Sequence, residues 1–193
     1  MPTDALFIHS AGPQSGEQGS APFVKALRRS LGPAYELACP AMPAPTKPSY
    51  ERWKTKLDRL LLPNGEPASI LIGHSLGGSV LLKYLSERQQ EIRAIALFVV
   101  AAPYWRSKEV EEFALREGFA RSLPDALAIY LYQSQDDEVI GMEHLSSYSE
   151  AIAQAIVRRL QVGGHTFKSG LPELVEDIRR LSSGPPAAIS SAP

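Results

Sequence analysis

The sequence is poor in the residues and patterns that mark several classes of protein. Only one of its 193 residues is a cysteine, so no disulfide can form within the chain. Cys39 lies in the apolar stretch 37–40, and we expect it to pack as a small hydrophobic side chain rather than to act as a reactive thiol. No cluster of cysteine and histidine has the spacing of a zinc site, so the sequence predicts no metal.

Charge and long apolar runs are also lacking. Lysine and arginine number 20 against 21 aspartate and glutamate, and no basic block stands out, so we expect no nucleic-acid partner. No window approaches 18 consecutive apolar residues, and the N-terminus has neither the basic nor the long apolar region of a secretion signal. These absences predict a soluble, cytoplasmic protein without membrane contact.

What the sequence does contain is an alternation of strand-like and helix-like segments. We predict strands at 6–8, 35–38, 70–72, 92–101, 127–132 and 156–162, and helices at 23–31, 50–61, 76–85, 107–118, 143–154 and 171–181. Six such alternations indicate an α/β fold, a three-layer sandwich with a mostly parallel six-stranded sheet and helices on both faces. We expect one domain over 1–181, a proline-rich rim at 40–48 and a disordered tail at 182–193.

The stretch 68–82 predicts a buried strand, a sharp turn and a helix. At the turn, Gly73-His74-Ser75-Leu76-Gly77 matches the pattern Gly-x-Ser-x-Gly. A nucleophilic serine on such a turn has a strained backbone, so the residues two before and two after it must be small where strand and helix pass closely. The turn also places the Leu76 N–H at a helix N-terminus, where backbone donors favour a developing negative charge.

A carboxylate and a histidine follow later strands. Asp136 and Asp137 come directly after the strand 127–132, and His165 follows Gly163 and Gly164 after the strand 156–162. Ligands of a parallel sheet bind at the carboxyl ends of its strands, so these loops and Ser75 should share one edge. The order Ser, Asp, His is that of a hydrolase triad, and either aspartate could serve as its acid. The other three histidines, at positions 9, 74 and 144, carry weaker signals.

On these anchors the chain resembles the α/β-hydrolase family, in particular its small, nearly capless serine hydrolases of the retinoblastoma-binding-protein-9-like group. The resemblance covers about residues 4 to 181 and rests on the segments 73–78, 134–140 and 164–165. It implies a catalytic triad of Ser75, Asp137 and His165, because the second aspartate of such a pair is the one that meets the histidine. Its implied fold is the α/β-hydrolase fold with a minimal cap.

Two positions depart from the family pattern. The loop after the first strand begins His9-Ser10-Ala11, where many relatives have His-Gly, so the second oxyanion donor is the N–H of Ala11 or of Ser10, with Ala11 preferred. Gly141 stands where a proline often follows the acid loop, which should alter loop stiffness only.

The resulting expectation is a serine hydrolase that cleaves carboxylic esters through an acyl-enzyme on Ser75. Residues 103–126 leave room for one helix and no large lid, so we expect an open site, short acyl chains, and substrate contacts from Tyr104 and Trp105. No organic cofactor is predicted, since 73–79 lacks the ending of a phosphate-binding loop. Two alternatives stay open: an amidase, thioesterase or acyltransferase with the same triad, and a protein-binding module whose triad is vestigial.

Overall fold

A computed structural model of the protein describes residues 3–62, 69–88, 92–105 and 111–182. These residues contain strands β1 (Thr3–Ile8), β2 (Tyr35–Ala38), β3 (Ser69–His74), β4 (Ala94–Val100), β5 (Ala128–Ser134) and β6 (Ile156–Leu160), and helices α1 (Ala21–Leu31), α2 (Tyr50–Leu61), α3 (Leu76–Arg88), α4 (Met142–Ala151) and α5 (Pro172–Ser182). Short 3₁₀ turns cover Gly32–Ala34, Glu111–Phe113 and Phe119–Ser122. None of the helices in the described ranges is long and apolar enough to cross a membrane.

The six strands form one sheet in the order β2-β1-β3-β4-β5-β6, and every neighbouring pair is parallel. After β1 the chain continues to β2 at one edge of the sheet, and after β3 it continues through β4 toward the other edge. The strand order therefore reverses between β1 and β3. In open parallel sheets, ligands bind beyond the carboxyl ends of the strands at such a reversal. The topology therefore points to the ends of β1 and β3 as the centre of the site.

Both faces of the sheet are covered. Along β3, Leu71 packs into the core beneath α2, α3 and α4, whereas Ile70 and Ile72 pack into a second core beneath α1 and α5. This alternation, with all three side chains fully buried, is what a strand buried on both faces requires. The predicted fold class and helix arrangement are confirmed.

The predicted helix 107–118 is wrong in its described part. After the strand β4 and the residues outside the described ranges, only the single 3₁₀ turn Glu111–Phe113 is helical before Gly118. The Leu115 N–H donates to the Trp105 carbonyl at 3.4 Å, and the Ala114 carbonyl accepts from Lys83 at 3.0 Å. Tertiary partners thus take backbone groups that a helix would have paired internally. Phe113 is nevertheless buried, as the pattern predicted.

Other boundaries differ by a few residues. Ser49 precedes α2 as predicted, but its side chain makes no capping hydrogen bond, and the Tyr50 N–H donates instead to Glu112 Oε2 at 2.9 Å. Of the predicted disordered tail, Ser182 belongs to α5, and the rest lies outside the described residues.

The proline-rich stretch 40–48 is irregular and is held by hydrogen bonds to its surroundings. The Met42 N–H donates to His9 Nε2 at 2.9 Å, and the Trp53 indole donates to the Pro43 carbonyl at 2.9 Å. The Gly12 N–H donates to the Pro45 carbonyl at 2.8 Å. The stretch is thereby fixed beside the loop that follows β1, at the edge where the site is expected.

Candidate active site

Ser75 occupies the strained turn that the motif predicts. It has a φ of +52°, a left-handed value that few residues other than glycine adopt. A Cβ on Gly73 would lie 2.5 Å from the Cα of Gly78, and a Cβ on Gly77 would lie 2.1 Å from the Ile8 carbonyl oxygen. Any larger residue at these positions would push α3 away from β3 or β1. The two glycines therefore let the strand, the turn and the helix approach closely enough to hold Ser75.

His165 lies between Ser75 and Asp137. Its Nε2 is 3.1 Å from Ser75 Oγ, and its Nδ1 is 3.0 Å from Asp137 Oδ2. A carboxylate only accepts hydrogen bonds, so Nδ1 carries the proton and Nε2 is left to accept the Ser75 hydroxyl proton. The three residues come from the ends of β3, β5 and β6, and the structure brings them together in the order needed for nucleophilic catalysis.

Asp137 is closely surrounded by donors. Its side chain is inaccessible to solvent, and its Oδ1 accepts the N–H groups of Val139 at 2.8 Å and Ile140 at 2.9 Å. Its Oδ2 accepts the Gln133 side-chain amide at 2.8 Å as well as the His165 ring. Burial alone would raise the pKa of Asp137, but the hydrogen bonds from His165, Ile140 and Val139 outweigh it and lower the pKa. The carboxylate is thus kept ionised opposite the imidazole.

Asp136 holds the backbone of the histidine loop. Its carboxylate accepts the Ser134 hydroxyl, the Gly164 N–H at 2.8 Å and the Gly163 N–H at 3.3 Å. The bonds from Ser134 and Gly164 lower its pKa. The two neighbouring aspartates therefore divide the work, Asp137 meeting the His165 ring and Asp136 meeting the main chain just before it. Replacement of Asp136 should therefore loosen the main chain before His165.

The two predicted oxyanion donors are the backbone N–H groups of Leu76 and Ala11. Leu76 is the first residue of α3, so its N–H has no acceptor within the helix. The loop after β1 lies directly against this turn, because Gly77 packs on the carbonyls of Ile8 and His9. In that loop, the Ser10 N–H already donates to Ser20 Oγ at 2.9 Å, whereas no acceptor for the Ala11 N–H is found within the described residues. This favours Ala11 over Ser10 as the second donor.

Gln133 and His144 are residues that the sequence analysis missed. Gln133 is 1% exposed and bridges Asp137 to the Ile140 carbonyl, closing the acid loop on itself. His144, expected to be an uninvolved surface residue of a helix, accepts the Tyr104 N–H at its Nδ1 over 2.9 Å and so ties the chain after β4 to α4. The only available signal was a polar glutamine at the end of a buried strand.

The predicted substrate residues lie after β4. Tyr104 packs edge-on to Tyr148 and near Phe119, and it lines a cavity of about 520 Å³ together with Phe119 and Ala151. Trp105 packs on Phe113. Their role toward a substrate stays a prediction. Among the described residues, no group of three or more His, Cys, Asp or Glu side chains is placed to hold a metal ion.

Comparisons with known proteins identify the family and the fold. A family model described as serine hydrolase matches residues 26–183. Among solved structures, the ydeN gene product from B. subtilis is similar with a TM-score of 0.70 at 20% identity, over 94% of this chain and 99% of that chain. A serine hydrolase involved in carbazole degradation, the CarC enzyme, has a TM-score of 0.71 at 13% identity, over 94% and 91% of the two chains. The mouse α/β-hydrolase domain-containing protein 10 has a TM-score of 0.64 at 18% identity, over 93% and 89%. A comparison with curated protein sequences finds no match. The predicted α/β-hydrolase fold with a minimal cap is confirmed.

Proposed function

The chain belongs to the serine hydrolase family, and we propose that it cleaves carboxylic esters of short acyl chains through an acyl-enzyme on Ser75. The observation that carries the proposal is the continuous chain of contacts from Ser75 Oγ through the His165 ring to Asp137, with distances of 3.1 and 3.0 Å. A vestigial site used only for protein binding would need neither this chain nor the strained backbone of Ser75. Strain of this kind is kept where it serves a function.

In the first half of the reaction, His165 Nε2 takes the Ser75 proton while Oγ forms a bond to the acyl carbon of the ester. The electron pair of the carbonyl moves to its oxygen, which the Leu76 and Ala11 N–H groups hold as an oxyanion. Asp137 keeps the ring in the tautomer that accepts at Nε2 and stabilises the imidazolium that forms. Collapse of this intermediate expels the alcohol, which receives the proton from His165.

In the second half, water attacks the acyl-enzyme. His165 accepts one proton of the water, the same two N–H groups hold the second oxyanion, and Ser75 leaves with the proton returned to its oxygen. Each step is supported by donors and acceptors of this chain, and none calls for a metal or an organic group. The products are a carboxylic acid and an alcohol.

The preference for short acyl chains rests on the segment that follows β4. In its described part, Phe113, Phe119 and Leu123 are all buried in the core beneath α3, so this part of the segment packs down on the domain instead of forming a lid. An open site offers little apolar surface to a long chain. We expect kcat/KM for p-nitrophenyl esters to fall from acetyl to palmitoyl, and a steady rise along that series would contradict the preference.

Labelling by a fluorophosphonate probe tests the proposed activity without knowledge of the natural substrate, because the probe reacts only with an activated serine. We expect the unaltered protein to be labelled and to hydrolyse p-nitrophenyl acetate. Ser75→Ala should abolish labelling and lower hydrolysis by about 10⁴-fold or more, with an unchanged melting temperature. Ser86→Ala, which removes a hydroxyl that donates to the Lys83 carbonyl, is the matched control. Equal turnover by Ser75→Ala and the unaltered protein would overturn the serine-hydrolase mechanism.

A further inference from the structure

Ser20 precedes α1, but its hydroxyl does not cap that helix. It is fully buried, makes no capping hydrogen bond, and turns instead toward the loop after β1 and toward the Ser75 turn. Serine at this position ordinarily accepts an N–H of its own helix, and that bond stabilises the helix by about 1 kcal/mol. Here the hydroxyl oxygen accepts the Ser10 N–H at 2.9 Å, and it lies 2.8 Å from His74 Nδ1. Its use elsewhere indicates another task.

The roles of the two His74 nitrogens follow from their partners. Nε2 lies 2.8 Å from the His165 carbonyl oxygen, which can only accept, so Nε2 carries the proton. Burial lowers the pKa of His74 to about 4, so the ring is neutral near pH 7 and Nδ1 is an acceptor. The Ser20 hydroxyl therefore donates to His74 Nδ1 while its oxygen receives the Ser10 N–H.

We propose that Ser20 and His74 are positioning residues. They join the loop after β1, which carries the Ala11 N–H, to the main chain of His165 through one continuous series of buried hydrogen bonds. This inference rests on the proposed hydrolase function. The series runs from the Ser10 N–H to Ser20, from Ser20 to His74 and from His74 to the His165 carbonyl. Neither side chain touches the substrate. His74 acts through the main chain of His165, and Ser20 acts through the main chain of Ser10, which stands next to Ala11.

The series has a consequence for the second oxyanion donor. By taking the Ser10 N–H, Ser20 fixes the His9–Ser10 peptide, which directly precedes the peptide that carries the Ala11 N–H, and leaves the Ala11 N–H as the donor for the site. At its other end, the series fixes the main chain of the residue whose ring takes the Ser75 proton. Oxyanion donor and general base are thereby held at a set separation across Ser75. A misplacement of about 1 Å in such groups can cost about 100-fold in rate.

The test compares Ser20→Ala with Ser79→Ala. Both remove a buried hydroxyl, 0% and 1% exposed, but Ser79 donates to the Pro103 carbonyl and has no part in the series. The readouts are KM and kcat for p-nitrophenyl acetate and the inhibition constant of a trifluoromethyl ketone, whose adduct with Ser75 carries an oxyanion. For Ser20→Ala we expect kcat to fall and the inhibition constant to rise, each by about 10- to 100-fold, with KM within about twofold. For Ser79→Ala, all three should stay within about threefold.

A second variant keeps the test sharp if Ser20→Ala folds poorly. His74→Gln can place an amide N–H near the position of Nε2 but has no acceptor atom at the position of Nδ1, so it should reproduce the effects of Ser20→Ala. The double variant should be no worse than either single one, because both break the same link. Strictly additive effects, or effects no larger than those of Ser79→Ala, would overturn the proposal.

Amide hydrogen exchange separates this proposal from the proposed function. Ser20→Ala should speed exchange of the Ser10 amide by about tenfold or more in the folded protein, whether or not the protein hydrolyses esters. Exchange at Ser10 that is unchanged refutes the link itself. Faster exchange in a protein that neither hydrolyses esters nor reacts with fluorophosphonate keeps the link and overturns the hydrolase function, and with it the positioning role.

Discussion

Two buried carboxylates in this protein are held by different partners. Asp137 meets the imidazole of His165, whereas Asp177 on α5 meets the guanidinium of Arg158 at 2.9 Å through both oxygens and also accepts the Tyr132 hydroxyl at 2.7 Å. Both side chains are almost inaccessible, at 0% and 3%. In both, burial raises the pKa and hydrogen bonds more than reverse it, so both stay ionised.

The difference lies in what the partner can do. Arg158 is permanently charged, and together with Tyr132 it ties β5, β6 and α5 to one another; burial and the bond to Asp177 in turn raise the pKa of Tyr132. His165 can gain and lose a proton, so the same carboxylate chemistry there supports a group that changes charge during a reaction. In this protein Asp177 and Arg158 therefore join parts of the fold, whereas Asp137 orients a ring that can take a proton from Ser75.

The largest expected effect comes from exchanging each carboxylate for an amide. Oδ1 of Asp137 accepts two backbone N–H groups, so Asp137→Asn must place its oxygen there and its NH₂ opposite His165. The ring then has no proton on Nδ1 and carries one on Nε2. A protonated Nε2 cannot accept the hydroxyl proton of Ser75. We expect kcat to fall by about 10⁴-fold in a protein that still folds.

Asp177→Asn should do the reverse. It leaves Arg158 without its charge partner, and since that side chain is one-third exposed, we expect a loss of about 2 kcal/mol in the free energy of unfolding, less than the roughly 3–5 kcal/mol of a fully buried pair. Hydrolysis should be unchanged at a temperature where the variant is folded. Urea unfolding and p-nitrophenyl acetate kinetics on both variants measure the comparison. Loss of activity in Asp177→Asn without loss of stability would contradict it.

The next largest expected effect is on the pH dependence of stability, which should differ between the active site, represented by His74, and the Asp177–Arg158 pair. The pKa of His74 falls from 6.5 to about 4 on folding because the ring is buried; nearby His165 and His9 lower it further, and Asp137 opposes them. The unfolded chain therefore binds a proton between pH 6.5 and 4 that the folded protein does not, so stability falls as the pH falls through this window. The shift amounts to about 3 kcal/mol. The pKa of His9 is also lowered by burial and acts in the same direction.

The Asp177–Arg158 ion pair loses its contribution to the free energy of unfolding only at lower pH. The folded pKa of Asp177 lies below its ordinary value of 3.8, so its stabilisation is complete above that value and is lost as the pH falls through the folded pKa. His74→Gln should flatten the stability curve between pH 6.5 and 4, and Asp177→Asn should flatten it only below about pH 4. Urea unfolding across pH 3 to 8 checks both predictions. If both variants flatten the curve in the same pH range, the expected difference between the two regions is contradicted.

Much of the fold was predictable because it rests on periodicity and chain order. The strand 70–72 and the helix stripe after Leu76 are encoded locally, and β3 and α3 lie where these patterns placed them. The proximity of Ser75, Asp137 and His165 was predictable because parallel strands end at one edge.

What the sequence could not show depends on tertiary partners. The residues 111–118 have helical periodicity, but Trp105 and Lys83 take the backbone groups of Leu115 and Ala114, and no local pattern encodes that competition. The bond between Ser20 and His74 joins residues 54 positions apart. Likewise, adjacent aspartates look alike in a sequence, and their partners depend on how the loop turns.

The smallest expected effect concerns Asp136, which extends the comparison to a carboxylate that binds a hydroxyl and two backbone N–H groups instead of a histidine or an arginine. It is exposed, so water replaces its hydrogen bonds more easily than those of Asp137 or Asp177. Without it, however, Gly163 and Gly164, which adopt φ values of +156° and +56°, lose the acceptor that fixes their turn before His165. For Asp136→Ala we expect kcat to fall by about tenfold with KM unchanged, since the histidine keeps Asp137 but samples more orientations.

Asp136→Glu should recover part of this loss, and Glu138→Ala, an exposed carboxylate of the same loop, is the control. Steady-state kinetics of the three variants decide the matter: if Asp136→Ala loses no more than Glu138→Ala, Asp136 has no positioning role, and if it loses as much as Asp137→Asn, the two aspartates act as one unit.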